Sequence, residues 1–363
     1  MKRVGCFFLS LLLMLACGCG QSSEQSGRLP AGQTLESGLH RYQGSFLGAF
    51  DTVTTVVLYG ESEAWAQEKI EEIRTELLRY HQLYDIYNAY EGVNNLYTVN
   101  ENAGMKPVQV GGDIMGLLKF AKEMYDLTGG RTNVAMGSVL AIWHSYREAG
   151  IDRPEEAALP PMEGLEAAAR HTDINDVILD EAAQTVYLRD PELRLDVGAV
   201  AKGYAGQRVA EKMRAEGVTS LLMSIGGNVC GVGRRADGAD WRVTVQSPEG
   251  TDYLCCVRVN GTNLVTSGTY QRYYTVDGKR YAHIIDPETL MPAERFDSVS
   301  VLCPDSGQAD ALSTALCSMT LEEGMELIES LPDTEALWLD GAGKETMSGG
   351  FAGYVIPEEE IAG

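Results

Sequence analysis

Basic residues are scarce in this chain. Its 363 residues include 29 Lys and Arg against 52 Asp and Glu, which gives a formal net charge of -23. Nucleic-acid binding depends on clustered Lys and Arg, so nucleic acid is not an expected partner. Electrostatic docking on anionic lipid is disfavoured for the same reason. Attachment to a membrane would therefore depend on something other than surface charge.

Several local catalytic motifs are also missing. The sequence has no HExxH zinc motif, no GxxxxGK(S/T) phosphate loop and no GxSxG nucleophile motif. These absences remove local support for a zinc protease, a P-loop nucleotide hydrolase and a Ser-His-Asp hydrolase. The pairs Gly226-Gly227 and Gly231-Gly233 do not form a GxGxxG that opens a helix. A Rossmann interpretation is therefore weak.

The cysteine pattern indicates neither a disulfide framework nor a zinc site. Of eight cysteines, three lie in the first 19 residues, and the other five show no CxxC spacing. Five is an odd number, so they cannot all pair within the chain. We expect most of them to be small buried hydrophobic residues. These five are Cys230, Cys255, Cys256, Cys303 and Cys317.

An apolar run at the N-terminus has the length of a signal-peptide core and is too short to span a bilayer. Lys2 and Arg3 precede it, and it ends in LACGCG, which is typical of a bacterial lipoprotein leader. In such leaders a Cys becomes the lipidated N-terminus, here Cys17 or Cys19. An ordinary cleaved signal peptide is the alternative.

The segment that follows this leader is polar and rich in Gly and Ser, as flexible linkers are. We therefore predict a signal peptide over residues 1–19, a flexible tether over residues 20–42 and a globular domain over residues 43–358. The expected location is extracytoplasmic, with the protein held at the cell membrane by its lipid anchor.

The order of predicted elements favours an α+β fold. Strands outnumber helices and short turns join several of them, which predicts a single domain with a mainly antiparallel or mixed sheet flanked by helices. The clearest local signals are a helix over residues 62–84 capped by Ser62 and a hairpin turn at Asp277-Gly278. Further strands are predicted over residues 50–59, in LRLDV before Gly198, and at GYVI near the C-terminus.

The segment ADALSTAL places a carboxylate and a hydroxyl four residues apart. In a helix, Asp310 and Thr314 would lie on one face, one turn apart. Such hard oxygen ligands suit Mg²⁺, which keeps the rest of its shell for water and substrate phosphates. The alternative is that Asp310 caps a helix and a neighbouring hydroxyl bonds to the backbone.

A second candidate site is the predicted strand-to-helix junction DVGAVAKG. Such a junction presents free backbone N–H groups and the positive end of a helix dipole, which suit phosphate. Lys202 would add a charge, and Asp196 could accept from a sugar hydroxyl or a ring N–H. The alternative is a helix start capped by Asp196.

Two further features have both a functional and a structural interpretation. His283 lies in an apolar run just before the rigid Asp286-Pro287 turn. It could take part in the chemistry of a site, or it could equally be a half-buried strand residue. The loop over residues 83–104 is rich in tyrosine. Its rings could stack on a flat ligand, or pack half-buried with one wet end.

Six motifs occur in the order found in one protein family. FDTVTTVVLY, DVGAVAKGYA, SIGGN, TSGTYQRYY, HIIDPETLMP and ADALSTAL resemble the ApbE family of FAD:protein FMN transferases. The resemblance implies that Mg²⁺-bound FAD is cleaved at its pyrophosphate. FMN would pass through a phosphoester bond to a Thr or Ser hydroxyl of an acceptor flavoprotein subunit at the membrane, and AMP would leave.

The resemblance also implies roles for individual residues. Asp310 and Thr314 would bind Mg²⁺ together with the backbone carbonyl of Ala199. His283 would be the base that deprotonates the acceptor hydroxyl, for which a pKa near neutral is expected. The implied FAD contacts are Phe50, Tyr87, Arg131, Thr132, Asn133, Asp196, Lys202 and Ile285.

The sequence departs from the family pattern at three places. Leu290 stands where Gly often follows DPET, Asn133 where Asp is common, and Phe50-Asp51 where Met-Gly is usual. Two other functions stay open: an Mg²⁺-dependent FAD pyrophosphatase that releases FMN and AMP, and a flavin-binding lipoprotein without chemistry. Intact Asp310, Thr314 and His283 disfavour the last, because binding alone needs no base.

Overall fold

The structure is a computed structural model that describes residues 38–248, Gly250 and residues 252–361. The predicted signal peptide, with Cys17 and Cys19, and residues 20–37 of the predicted tether lie outside the described residues. The first strand begins at His40. The predicted tether over residues 20–42 therefore ends too late, because residues 40–42 pair with the next strand.

The strands in chain order are β1 (His40–Phe46), β2 (Thr54–Gly60), β3 (Val108–Gln109), β4 (Val177–Asp180), β5 (Thr185–Leu188), β6 (Leu221–Ile225), β7 (Asn228–Val232), β8 (Trp241–Gln246), β9 (Tyr253–Val259), β10 (Asn263–Gly268), β11 (Tyr273–Val276), β12 (Lys279–Ala282), β13 (Ser298–Cys303), β14 (Glu335–Leu339) and β15 (Glu345–Met347). The helices are α1 (Glu63–Tyr84), α2 (Leu96–Glu101), α3 (Gly112–Leu127), α4 (Gly137–Asp152), α5 (Met162–Ala169), α6 (Ala201–Ala215), α7 (Ser306–Ser318), α8 (Leu321–Glu329) and α9 (Glu358–Ile361).

The main sheet has the strand order β1-β2-β6-β7-β10-β13-β14-β15. Each neighbouring pair in it is antiparallel. Three smaller sheets accompany it, with orders β3-β5-β4, β8-β9 and β11-β12. The predicted α+β class with a mainly antiparallel sheet is confirmed.

The main sheet is buried on both faces, as the alternation along β2 shows. Val56 and Leu58 pack with residues of the helical layer, while Val57 and Tyr59 pack with the β8-β9 hairpin. Successive side chains of a strand point to opposite faces, so β2 contributes to two separate cores. The ring of Tyr59 lies 5.8 Å from that of Trp241 on the hairpin face.

Local signals located the best-defined elements. Helix α1 begins after Ser62, whose hydroxyl accepts a hydrogen bond from the N–H of Trp65. The β11-β12 hairpin turns at Asp277-Gly278, both with positive φ, which suits a two-residue turn between twisted strands. Both predictions are confirmed.

Three strand predictions are wrong in detail. Phe50 and Asp51 precede β2 and have φ values of 53° and 52°, so they form a left-handed turn in place of the strand start. LRLDV has only an isolated bridge between Arg194 and Met136. At GYVI the chain forms a 3-10 turn over Phe351–Gly353 and an isolated bridge of Val355 with Val257. In all three segments, tertiary contacts override the strand propensity of the residues.

The turn after His283 keeps a geometry that favours glycine, although it carries Leu290. Leu290 has a φ of 60°, which costs a non-glycine residue about 1–2 kcal/mol. Its N–H donates to the carbonyl of Asp286 at 2.8 Å, and its carbonyl accepts from Trp143 Nε1 at 2.9 Å. Its side chain is buried against α4, which offsets the strain. The contacts with α4 therefore keep this turn in its left-handed conformation although position 290 is a leucine.

Helices α6 and α7 approach each other closely because of one glycine. A methyl group at Gly203 would lie 2.6 Å from Asp310 Cβ and would overlap the carbonyl of Ser306. Glycine thus allows the first turn of α6 to rest against the middle of α7. In the part of the chain that the structure describes, no helix is long and apolar enough to cross a membrane.

We expect Gly203→Ala to separate α6 from α7, because the overlap is with backbone that cannot rotate away. Overpacking of this kind typically costs about 1–3 kcal/mol. The expected result is a lower thermal midpoint together with a loss of the flavin transfer that the family resemblance implies. The matched control is Gly164→Ala in α5, where no atom lies within 4 Å of the added methyl group.

Alanine is a better helix former than glycine by about 1 kcal/mol, so Gly164→Ala is expected to keep or raise the thermal midpoint. Wild-type stability and activity in Gly203→Ala would show that the close approach of α6 and α7 is not required.

Candidate active site

The carboxylate of Asp310 is buried at the junction of α6 and α7. Asp310 is 2% exposed, and its Oδ2 accepts a hydrogen bond from the backbone N–H of Gly203 at 2.8 Å. Its Oδ1 lies 3.6 Å from Lys202 Nζ. Asp305, not Asp310, caps α7, so the capping interpretation of Asp310 is wrong. A carboxylate held in the interior of a helix by another helix's first turn is a functional-site candidate.

The bond from Gly203 changes the first turn of α6. In a regular helix that N–H would donate to the carbonyl four residues earlier, that of Ala199. The next N–H, of Tyr204, does donate to its expected partner Val200 at 3.0 Å. Among the described residues the Ala199 carbonyl accepts no such backbone bond. This oxygen is therefore available next to the carboxylate of Asp310.

Thr314 follows Asp310 by one turn of α7 and is half-buried. Its hydroxyl lies 3.4 Å from Ser267 Oγ on β10, and Ser267 Oγ lies 2.8 Å from Ser313 Oγ. Ser313 in turn donates to the carbonyl of Asp310 at 3.0 Å. This hydroxyl chain fixes the orientation of Thr314, and it gives the serine of the TSG motif a positioning role.

These groups form a donor set of one carboxylate, one hydroxyl and one carbonyl, all hard oxygens. The described residues contain no cluster of three or more His, Cys, Asp or Glu side chains suited to a metal. Three oxygens fit Mg²⁺, which completes an octahedral shell with water and substrate phosphate. The set does not suit a closed structural site for a softer metal.

His283 is held by the backbone of Arg272. The His283 N–H donates to the Arg272 carbonyl at 3.0 Å, and Nδ1 lies 3.2 Å from the same oxygen. A carbonyl only accepts, so this contact requires a proton on Nδ1 and leaves the lone pair on Nε2. The ring is thereby oriented with a free basic nitrogen, as a proton acceptor requires.

The pKa of His283 differs from the near-neutral value expected. Burial lowers the pKa to about 4, and repulsion from Arg272, Arg147 and Lys202 adds to the effect. The imidazole is therefore neutral throughout the physiological range. In this state it can accept a proton but is a weaker base than the sequence predicted.

Tyr87 and Asp196 belong to a group of interacting side chains with Arg147, Arg272 and His283, and we call the space between them the cleft. Tyr87 is 59% exposed, and its ring stacks on that of His144 at 5.3 Å. Burial raises the pKa of Asp196, whose Oδ1 accepts the N–H of Gly198 at 2.8 Å. Partial burial and the charge of Asp196 raise the pKa of Tyr87 to about 12. An exposed aromatic ring beside a carboxylate suits a flat polar ligand.

Three residues predicted to contact FAD have side chains engaged by the protein. Arg131 pairs with Asp286 at 3.3 Å and Glu288 at 2.8 Å. Thr132 is buried and donates to the carbonyl of Ala311 at 2.7 Å. Asn133 donates to the carbonyl of Thr172 and accepts the N–H of Ala135, each at 2.9 Å. Arg131 thus fastens the DPET turn and Thr132 fastens α7. The contact of all three residues with FAD stays a prediction.

The other two predicted contacts, Ile285 and Phe50, pack against neighbouring parts of the protein. Ile285 is 8% exposed, and its side chain packs in the cluster around α4. Phe50 sits in the left-handed turn before β2, with its ring edge-on to His81 at 5.8 Å. Its N–H donates to His81 Nδ1 at 3.3 Å.

Three residues of the cleft were not predicted: His144, Arg147 and Arg272. Arg147 and His144 stand three apart on α4, and Arg272 precedes β11. The sequence spacing of His144 and Arg147 puts them on one helix face, but nothing local shows that this face meets His283. Only the packing of α4 on β11 brings them into the cleft.

Comparison with known proteins agrees with this geometry. The sequence model of the ApbE family matches residues 50–338. The chain is 33% identical over 286 residues to the FAD:protein FMN transferase of Treponema pallidum, covering 74% of this chain and 76% of that protein. It is 31% identical over 291 residues to one from Klebsiella pneumoniae, covering 78% and 84%.

Solved structures give the same result. The ApbE protein from Thermotoga maritima superposes with a TM-score of 0.78 at 25% identity, covering 88% of this chain and all of that one. The flavin transferase ApbE from Vibrio cholerae superposes with a TM-score of 0.73 at 26% identity, covering 87% and 99%.

The lowered pKa of His283 predicts a pH dependence of stability. Between pH 6.5 and about 4, the unfolded imidazole binds a proton that the folded one resists, so the free energy of unfolding falls as the pH falls. His283→Asn should remove this slope and retain a donor to the Arg272 carbonyl. Thermal midpoints of both proteins from pH 7.5 to pH 4.5 (roughly the window of His titration) test this. Parallel curves would contradict it.

Proposed function

Because the chain belongs to the ApbE family and is an enzyme with flavin transferase activity, we propose that it transfers FMN from FAD to a Thr or Ser hydroxyl of an acceptor flavoprotein. The hydroxyl oxygen forms a phosphoester bond to the phosphorus of the FMN half. The pyrophosphate bond to the AMP half breaks, and AMP leaves. The names of the relatives state the donor and the transferred group, and the acceptor hydroxyl and the metal are the proposed part.

One observation carries the proposal: the first turn of α6 holds the buried carboxylate of Asp310 beside Lys202, one helical turn from the hydroxyl of Thr314. Asp310, Thr314 and Ala199 would hold Mg²⁺, and Lys202 lies 3.6 Å from Asp310. A bound Mg²⁺ would neutralise the pyrophosphate and the oxygen that departs with AMP. Lys202 contributes a second positive charge to the same group, and it stays close to the carboxylate because both lie at the α6–α7 contact.

His283 receives the proton of the acceptor hydroxyl. Its Nδ1–H remains on the Arg272 carbonyl, so the proton goes to Nε2. The pKa of about 4 describes a ring surrounded by positive charge. The two negative phosphates of FAD oppose that charge, and their arrival raises the pKa toward a value suited to a general base.

The exposed ring of Tyr87 supports a role in covering the flavin. It stacks on His144 on one face, which leaves its position fixed and much of its surface in contact with solvent. Asp196 lies close enough to affect its pKa. With that pKa raised, Asp196 is better able to share a proton with a ring N–H of the flavin.

The proposal extends to location. The sequence features that support it are the LACGCG leader and the Gly- and Ser-rich segment over residues 20–37. A lipid on Cys17 or Cys19 would hold the enzyme at the outer side of the cytoplasmic membrane. Tethering raises the effective concentration of acceptor subunits in that membrane.

The transfer reaction is tested with Asp310→Asn, which keeps an oxygen for the Gly203 N–H but removes the charge. With FAD, Mg²⁺ and a candidate acceptor subunit, wild type should add one FMN to the acceptor by intact mass and release AMP. The variant should lose at least about 100-fold in rate, as when a group that stabilises developing charge is removed. Wild-type rate in this variant would refute the metal assignment.

The matched control is Asp305→Asn, the same chemical change at the cap of α7. Asn caps helices as well as Asp, so this variant should transfer FMN normally. Release of free FMN with no acceptor modification would indicate hydrolysis, and covalent flavin at this protein's own mass would indicate self-modification. Either result would contradict transfer to a separate acceptor.

Anchoring is tested by replacing both Cys17 and Cys19 with Ser in the full chain. The double variant should move from the membrane fraction to the soluble fraction, whereas Cys6→Ser in the apolar run should stay with the membrane. Mass spectrometry of the wild-type N-terminus should find a lipidated cysteine. A soluble wild-type protein with an unmodified N-terminus would rule out the anchor.

A further inference from the structure

Two arginines of the cleft have no carboxylate partner. Among the described residues, no carboxylate oxygen lies within 4.0 Å of the guanidinium of Arg147 or of Arg272. Arg147 is half-buried and Arg272 is exposed. Burying part of an unpaired charge costs free energy, and the cost is recovered only when a partner binds. In a protein of net charge -23, carboxylates to pair with are abundant, so the unpaired Arg147 requires an explanation.

The packing of α4 on β11 brings these arginines together. A methyl group at Gly150 of α4 would lie 2.6 Å from Tyr274 Cδ2 of β11, so the two elements touch there. Arg147 lies one turn before Gly150, and Arg272 lies two residues before Tyr274. Repulsion from Arg272 contributes, after burial, to lowering the pKa of Arg147, as expected for neighbouring charges.

Arg147 is held in place by neutral and aromatic neighbours. Its Nη2 lies 2.7 Å from His144 Nδ1, and His144 Nε2 lies 3.0 Å from Glu148 Oε1. A guanidinium only donates, so His144 Nδ1 accepts and Nε2–H donates to Glu148. The ring of Tyr87 stacks on His144. This arrangement orients Arg147, and its other N–H donors have no hydrogen-bond partner within the described part of the chain.

The position of His283 indicates which anion they take. His283 is fixed to the carbonyl of Arg272. In the proposed transfer it accepts the proton of the hydroxyl that attacks phosphorus. The attacked phosphate must therefore lie next to His283, within reach of the Arg272 side chain. Lys202 and Asp310 occupy the α6–α7 side of the site and serve the rest of the pyrophosphate.

We propose that Arg147 and Arg272 form a phosphate subsite that binds the phosphate of the FMN half of FAD. The planar guanidinium matches the geometry of phosphate oxygens and donates to two of them at once. Two such groups would stabilise the charge on the phosphate during transfer. This assignment rests on the proposed FMN transfer and adds the residues that select a flavin carrying a phosphate.

The test compares FMN with riboflavin, which lacks the phosphate, as ligands of the full-length protein without Mg²⁺ or acceptor. Dissociation constants come from flavin fluorescence. Wild type should bind FMN at least about 10-fold more tightly than riboflavin, as charge-assisted hydrogen bonds imply. Arg147→Gln and Arg272→Gln should each weaken FMN binding by about 10-fold and leave riboflavin binding unchanged.

The matched control is Arg280→Gln on β12, an exposed arginine over the ring of Tyr273. It should change neither dissociation constant. Thermal midpoints establish that each variant is folded. If both glutamine variants fail to fold, the test rests on the dissociation constants of FMN and riboflavin for the wild-type protein. Equal affinity for the two ligands would overturn the proposal.

Two other outcomes would also overturn it. An equal loss of FMN and riboflavin affinity would mean that the arginines hold the flavin ring. Unchanged FMN affinity with a raised KM for the acceptor would mean that they face the acceptor protein. Failure of the FMN transfer itself would appear separately, as an unmodified acceptor with wild-type enzyme, and would leave the binding comparison interpretable.

Discussion

The site depends on one hydrogen bond between two helices that are distant in sequence. The N–H of Gly203, near the start of α6, donates to the buried carboxylate of Asp310 in α7 at 2.8 Å. A helix N-terminus stabilises an anion, so the carboxylate is tolerated where it is 2% exposed. The same bond diverts Gly203 from Ala199, whose carbonyl becomes available. A single contact thus orients two oxygens, and Thr314 supplies the third from the next turn of α7.

Charge is distributed unevenly in this molecule. The chain as a whole is strongly acidic, yet Lys202, Arg147 and Arg272 all act on His283 and lower its pKa. In the proposed reaction, this local positive charge attracts the pyrophosphate of FAD and keeps His283 neutral until FAD binds. The proposed mechanism therefore couples the binding of FAD to the activation of His283 as a base, through the same charges.

Much of the architecture follows from local rules. The cap at Ser62 and the turn at Asp277-Gly278 depend on residues a few positions apart, and the sequence predicted both. The candidate pair Asp310 and Thr314 also followed from helical spacing. The interpretation failed where strand-like residues met special turns, as at Phe50 and GYVI, because β propensity depends on the packing around a segment.

The sequence by itself determined the family, the α+β class and the kinds of functional group in the candidate site. Each of these can be read from short motifs or from the order of local elements. Only the tertiary structure decided how those groups are used. In the folded protein, the side chains of Arg131, Thr132 and Asn133 contact other segments. The turn at Leu290 is held by a hydrogen bond from Trp143. The tertiary structure also brought Arg147 to the cleft of His283, more than a hundred positions along the chain. Burial, pKa and unpaired charge depend on such distant neighbours, because dielectric environment and Coulomb interactions follow distance in space and not separation in sequence.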